Sequence, residues 1–165
     1  MFSHNKPYTN SNTVFLSHKH SDLEELKGVM GLLKDYGAKV YIDSMDNKMP
    51  KETSGETAKR IKEVIKYCKK FILLATEDAI SSYWCNWELG FGDTHKYKSN
   101  LAILPIKEVG ESDYQYKGNE YLRIYPKISY RNAFTNYKGH YFKSGYYVEN
   151  PDDFYITELS VWLKQ

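Results

Sequence analysis

Along the chain, short runs of consecutive apolar residues alternate with longer stretches in which apolar residues return every three or four positions, the pattern of a parallel sheet covered by helices. The run TVFLS at 13–17 predicts a first strand. It is followed at 21–37 by SDLEELKGVMGLLKDYG, a helix with Leu23, Leu26, Met30 and Leu33 on one face, opened by a Ser21/Glu24 capping box and stopped by Gly37. KVYID at 39–43 predicts a second strand. Beyond a polar loop through Pro50, a second helix turns Ala58, Ile61, Ile65 and Cys68 inward. FILLA at 71–75 is apolar at every position, as a central strand buried on both faces should be. A third helix starts near Ser82, LAILPI at 101–106 is a fourth strand, and YLRIY at 121–125 is the candidate fifth. Asn150 and Pro151 supply the cap and first turn of a terminal helix that buries Phe154, Leu159 and Trp162.

This order predicts an α/β, flavodoxin-like fold: an open parallel five-stranded sheet, order 2-1-3-4-5, with helices on both faces. Residues 1–12 read as a flexible N-terminus and 13–165 as a single domain. The segment 107–150 holds nine of the sixteen tyrosines without clear periodicity; irregular structure is expected there, with a hairpin between Ser129 and Val148. In open sheets of this kind, ligands bind beyond the carboxyl ends of the strands where neighbouring connections diverge. That crevice falls between the first and third strands, bordered by SHKHSD at 17–22 and TEDAISSYW at 76–84.

Composition narrows the function classes. At 165 residues the chain has room for one domain, and 23 basic against 21 acidic side chains leave a net charge of +2, too balanced for a polyanionic partner. The basic residues among the tyrosines are interleaved with Glu108, Glu111, Asp113, Glu120 and Glu149, which describes a solvated mixed surface rather than one for nucleic acid. No apolar run approaches the ~20 residues of a membrane span, and the polar start MFSHNKPYTNSN is unlike a signal peptide, so the expected location is cytoplasmic. Cys68 and Cys85 lack the spacing of a zinc site and read as packed thiols. His18 and His20 have no carboxylate or cysteine at ligand spacing, so they read as loop residues and no metal is expected. The absence of a G-x-G-x-x-G fingerprint disfavours a dehydrogenase. A phosphoacceptor receiver would need paired acids where SHKHSD stands.

One residue resists a purely structural account. Glu88 lies one helical turn after Trp84 and between Trp87 and Phe91, so an acid shares a face with an aromatic stripe. The positions four away are Trp84 and Gly92, so its own helix offers no cation. A carboxylate near a helix start is also favoured by the macrodipole, which is the plain reading.

VFLSHKHSD, KVYID with its polar loop, and SSYWCNWELG together resemble a TIR (Toll/interleukin-1 receptor) domain, in order and spacing over about residues 13 to 106. The W-C-x-x-E element, Trp84 to Glu88, is similar to that of plant TIR domains and related bacterial ones. The resemblance implies an NAD-cleaving enzyme with Glu88 as catalytic residue, similar to the stand-alone TIR proteins of bacterial anti-phage systems such as Thoeris. NAD⁺ would then be the substrate, and no cofactor is expected. The candidate substrate-binding residues are Ser17, His18, Lys19, Asp43, Trp84 and Cys85. Lys19 is placed to meet the pyrophosphate and Ser17 to hydrogen-bond the substrate, while Asp43 either touches ribose or caps the loop after it. The resemblance further implies self-association, with SMDNKMPKETSG at 44–55 where TIR domains make assembly contacts, and a product sensed by a separate effector. The alternative is a non-catalytic TIR adaptor acting by homotypic association.

Overall fold

A computed structural model describes residues 12–43, 55–106, 116, 118–153 and 155–165. The expectations for residues 1–11, for most of the assembly loop and for Phe154 therefore lie outside the described residues.

The first five strands are β1 (Thr13–Ser17), β2 (Lys39–Tyr41), β3 (Lys70–Ala75), β4 (Leu101–Pro105) and β5 (Lys127–Arg131), and they run parallel in the order β2-β1-β3-β4-β5. The period of two along each strand sorts its residues between two cores. Phe15, Phe71, Leu73, Leu101 and Ile103 face one side, where they meet Ile61, Val64 and Ile65 of α2 (Gly55–Tyr67) and Cys85 and Leu89 of α4 (Tyr83–His95). Val14, Leu16, Ile72, Leu74, Ala102 and Leu104 face the other, against Leu26, Val29 and Leu33 of α1 (Leu23–Asp35) and the C-terminal α5 (Leu159–Trp162). A short α3 (Glu77–Ile80), not foreseen from the sequence, precedes α4. Gly37 ends α1 with φ of 90°, which a side-chain-bearing residue adopts at a cost, while its N–H and that of Ala38 return to Lys34 and Leu33.

Four expectations change. Asp22, not Ser21, is the N-cap residue of α1, and it makes no side-chain cap because its carboxylate accepts a hydrogen bond from Thr76. Leu23 is 57% exposed, since Leu26, Val29 and Leu33 define the buried stripe. YLRIY forms a 3-10 turn over Glu120–Ile124 that buries Leu122, and the fifth strand begins only after Pro126, whose carbonyl accepts from the Ile103 N–H at 2.8 Å. The terminal helix is shorter than expected. Asn150 and Pro151 enter a turn in which the Asn150 side chain accepts from the Asp152 N–H, and β9 (Ile156–Glu158) follows. Leu159 and Trp162 are buried all the same.

The hairpin between Ser129 and Val148 is present: β5 pairs antiparallel with β8 (Gly145–Glu149), Ser129 opposite Tyr147. Between them, β6 (Phe134–Thr135) and β7 (Tyr141–Phe142) close around stacked Phe134 and Phe142 rings. β8 pairs onward with β9, so two antiparallel strands extend the five-stranded parallel sheet.

Candidate functional site

Three elements converge at the carboxyl ends of β1 and β3. Ser17 is the last residue of β1, and its hydroxyl donates to the Glu88 carboxylate across 71 residues of sequence. The Ser82 side chain caps α4 by accepting from the Cys85 N–H at 3.4 Å, which fixes where the helix starts and therefore which turn carries Glu88. Thr76 caps α3 and also donates to Asp22, tying the loop after β3 to the loop after β1. The crevice expected between the first and third strands is thus held on both sides by side-chain hydrogen bonds.

Glu88 is 2% exposed. Burial pushes its carboxyl up to about 8, with the nearby Asp43 charge adding to the shift and hydrogen bonds from Ser17 and Trp84 opposing it. At neutral pH such a group keeps its proton, and a positive charge brought beside it shifts it toward the carboxylate. Cys85 lies beneath it, 1% exposed and in the core; burial and the Glu88 charge raise its thiol to about 11, so it is not a thiolate nucleophile at neutral pH. Trp84 stacks on Trp87 with centroids 4.9 Å apart, and the stack continues through Phe91 to His95. The Lys62 ammonium sits over the Trp87 and Phe91 rings at 5.7 and 5.2 Å. The aromatic stripe read from the sequence is therefore a continuous ladder, only partly buried.

The histidines depart from the sequence reading. A carboxylate partner does exist: Asp43, at the end of the segment following β2, approaches His20 Nε2 at 2.8 Å and His18 Nε2 at 3.7 Å. Sequence spacing hid it because the partner lies just past the end of the neighbouring strand. The signal was in the sheet order, since the parallel register of Phe15 with Tyr41 brings the residues after both strands together. His18 is 4% exposed and burial lowers its basicity.

Of the residues singled out, Ser17 and Trp84 contact Glu88, Asp43 acts on it through its charge, His18 adjoins Asp43, and Cys85 packs below. Lys19 is half-buried, and its charge is felt at Cys85. A separate concavity of about 980 Å³, lined by Tyr116, Tyr125, Tyr130, Arg131 and Glu149 among others, lies toward β5 and β8. It contains none of these residues. Among the described residues, no helix is long and apolar enough to cross a membrane.

The TIR domain family profile matches residues 14–138. Over 118 residues the chain is 34% identical to a Bacillus cereus protein named probable 3' cyclic ADP-D-ribose synthase ThsB', a match covering 70% of this chain. The chain spans 60% of that relative's length. Among solved structures, the TIR domain of the Toll-related receptor TRR-2 from Hydra magnipapillata is 18% identical with a TM-score of 0.47, covering 63% of this chain and 77% of that one.

Proposed function

Because the chain belongs to the TIR domain family, we propose that it cleaves the N-glycosidic bond between nicotinamide and ribose in NAD⁺, with Glu88 as the catalytic carboxylate. The observation that carries this reading is the buried Ser17–Glu88 pair at the mouth of the first and third strands. Nicotinamide is a cationic ring in NAD⁺ and leaves as a neutral molecule, so the leaving group needs no general acid. As the bond breaks, positive charge moves onto the ribose, and a carboxylate in a low-dielectric site stabilises it more than one in water. In glycosidases one of two carboxylates does comparable work on an oxocarbenium-like centre.

The protonation state fits this role once substrate is considered. Alone, Glu88 holds its proton up to about pH 8. The positive nicotinamide ring of a bound substrate favours the carboxylate, so binding itself generates the charged form. The Ser17 hydroxyl, already donating to Glu88, keeps one oxygen oriented. Trp84 and its stacked neighbours offer flat faces for an aromatic ring.

The ribosyl cation is then captured by water, giving ADP-ribose, or by an atom of the same molecule, giving a cyclic isomer. The Bacillus relative, named for synthesis of 3' cyclic ADP-D-ribose, favours the cyclic outcome here. We place the activity in the cytoplasm, in bacterial antiviral defence, with the product read by a separate effector and with self-association raising turnover. The test is to incubate the pure protein with NAD⁺ and identify products by mass and NMR, at several protein concentrations and beside Glu88→Gln. Nicotinamide release that vanishes in a folded Glu88→Gln supports the proposal; near-parental release in that variant returns the chain to the adaptor reading.

A further inference from the structure

We propose that His18, His20 and Asp43 form a binding site for a divalent cation of the zinc class at the carboxyl ends of β1 and β2. The ligating atoms of the three residues all lie within 4.8 Å of one another. The two oxygens of Asp43 are divided between the rings: Oδ2 is 2.8 Å from His20 Nε2, and Oδ1 is 3.7 Å from His18 Nε2. The second separation is too long for a hydrogen bond and is close to the spacing of two ligands on one ion. A tetrahedral site with bonds of about 2.0–2.2 Å sets its donor atoms roughly 3.4 Å apart.

His18 carries the stronger part of the argument. Its Nδ1 lies 3.3 Å from the Leu16 carbonyl, which can only accept, so Nδ1 is the nitrogen anchored on the backbone and Nε2 is the one turned toward the Asp43 carboxylate. Anchoring one ring nitrogen on a backbone carbonyl while the other faces the ion is how ligating imidazoles are oriented. The His18 side chain is 2% exposed and Asp43 10%, so these two are fixed by the fold, whereas His20 at 67% stands at the solvent edge and can swing the distance needed to close the site. The rings of His18 and His20 are 5.6 Å apart and tilted by 44°, so their nitrogens converge without the rings stacking.

Two imidazoles and one carboxylate suit Zn²⁺, Co²⁺ or Ni²⁺; an all-oxygen set would be needed to prefer Mg²⁺ or Ca²⁺. Three protein ligands leave the fourth tetrahedral position to water or a substrate oxygen. An ion there would bind the loop after β1 to the end of the β2 segment, one residue from Ser17.

This inference stands apart from the NAD⁺ reading, because its test uses no substrate. Chelator-treated protein is titrated with CoCl₂ and followed by the visible bands of four-coordinate Co²⁺, then challenged with ZnCl₂. The expected result is saturation at one equivalent, displacement by Zn²⁺, and a melting temperature that rises with Zn²⁺. His20→Ala, a change at an exposed position, should fold as the parent does, bind at least tenfold more weakly and lose the Zn²⁺-dependent rise. Absence of saturable one-to-one binding overturns the proposal. So does parental affinity in His20→Ala, or a thiolate charge-transfer band placing the ion on a cysteine.

Discussion

Replacing Glu88 by Gln keeps the shape of the side chain and removes its charge, and the burial of this position makes two effects run in opposite directions. The carboxyl is displaced from 4.5 to about 8, chiefly by desolvation. At about 1.4 kcal/mol per pH unit, that displacement amounts to on the order of 5 kcal/mol of ionisation cost in the folded state. The sign follows from proton counting. Between pH 4.5 and about 8 the native protein holds a proton at Glu88 that the unfolded chain has released, so stability falls as pH rises through that window. Gln cannot ionise and lacks this slope. Relative to the parent, the variant should therefore gain about 2–3 kcal/mol between about pH 6 and pH 9. Nicotinamide release should meanwhile fall at least about a hundredfold, or roughly 3 kcal/mol of transition-state stabilisation. The assay pairs urea unfolding at the two pH values with single-turnover nicotinamide release on the same preparations. A stability difference independent of pH would refute the desolvation argument. Activity that merely tracks the folded fraction would refute the catalytic one.

Three further outcomes follow from particular contacts. For the parent, kcat/KM for NAD⁺ should rise with pH through an inflection near pH 8 and level off only about a unit above it, because it reports ionisation of Glu88 in the free protein; Ser17→Ala, by removing a hydrogen bond that favours the charged form, should move that inflection upward, as a pH series will reveal. Gly92→Ala puts a Cβ 3.1 Å from Cδ2 of Phe71, a ring already stacked on Phe15; the crowding cost of about 1–3 kcal/mol is offset by the about 1 kcal/mol that Ala gains over Gly inside α4, so thermal or urea unfolding should register a net loss of no more than about 2 kcal/mol. Thr76→Val removes both the cap of α3 and the donor to Asp22, leaving a buried carboxylate short of a partner, and should destabilise by about 1–3 kcal/mol in the same measurement.

The parts of the fold that the sequence made legible are those where burial alone dictates residue type. β3 is buried at all six positions, Lys70 included, and the apolar run 71–75 announced both the strand and its central place. β5, by contrast, buries only Ile128, and KISYR carries no such signature, so the apolar alternation of YLRIY drew the strand assignment six residues too early. The C-terminal turn was read as a helix because Asn-Pro opens helices and turns alike; what decided the outcome was the β8 edge available to Ile156–Glu158, a partner invisible to local pattern. In the site, Glu88 stood out because its own helix could not explain it, and the sheet order put Ser17 at the same crevice, though the sequence reading gave its hydroxyl to the substrate and not to Glu88. The Asp43 contacts of the histidines were missed although the same sheet order carries them, because ligands were sought by spacing along the chain and Asp43 stands 23 positions from His20, just past the end of β2.

The two strands that end the sheet, β2 and β9, are each only three residues long, and each carries a charged residue at one end, Lys39 and Glu158. A ladder grown from either edge onto another chain would extend about 10 Å, at some 3.3 Å per residue, with few backbone donors and acceptors to hold it. Polymerisation by adding strand to strand is thereby discouraged at both ends of the sheet. Among the described residues, then, an association of these chains would have to rest on side chains of helices and loops rather than on a shared backbone ladder.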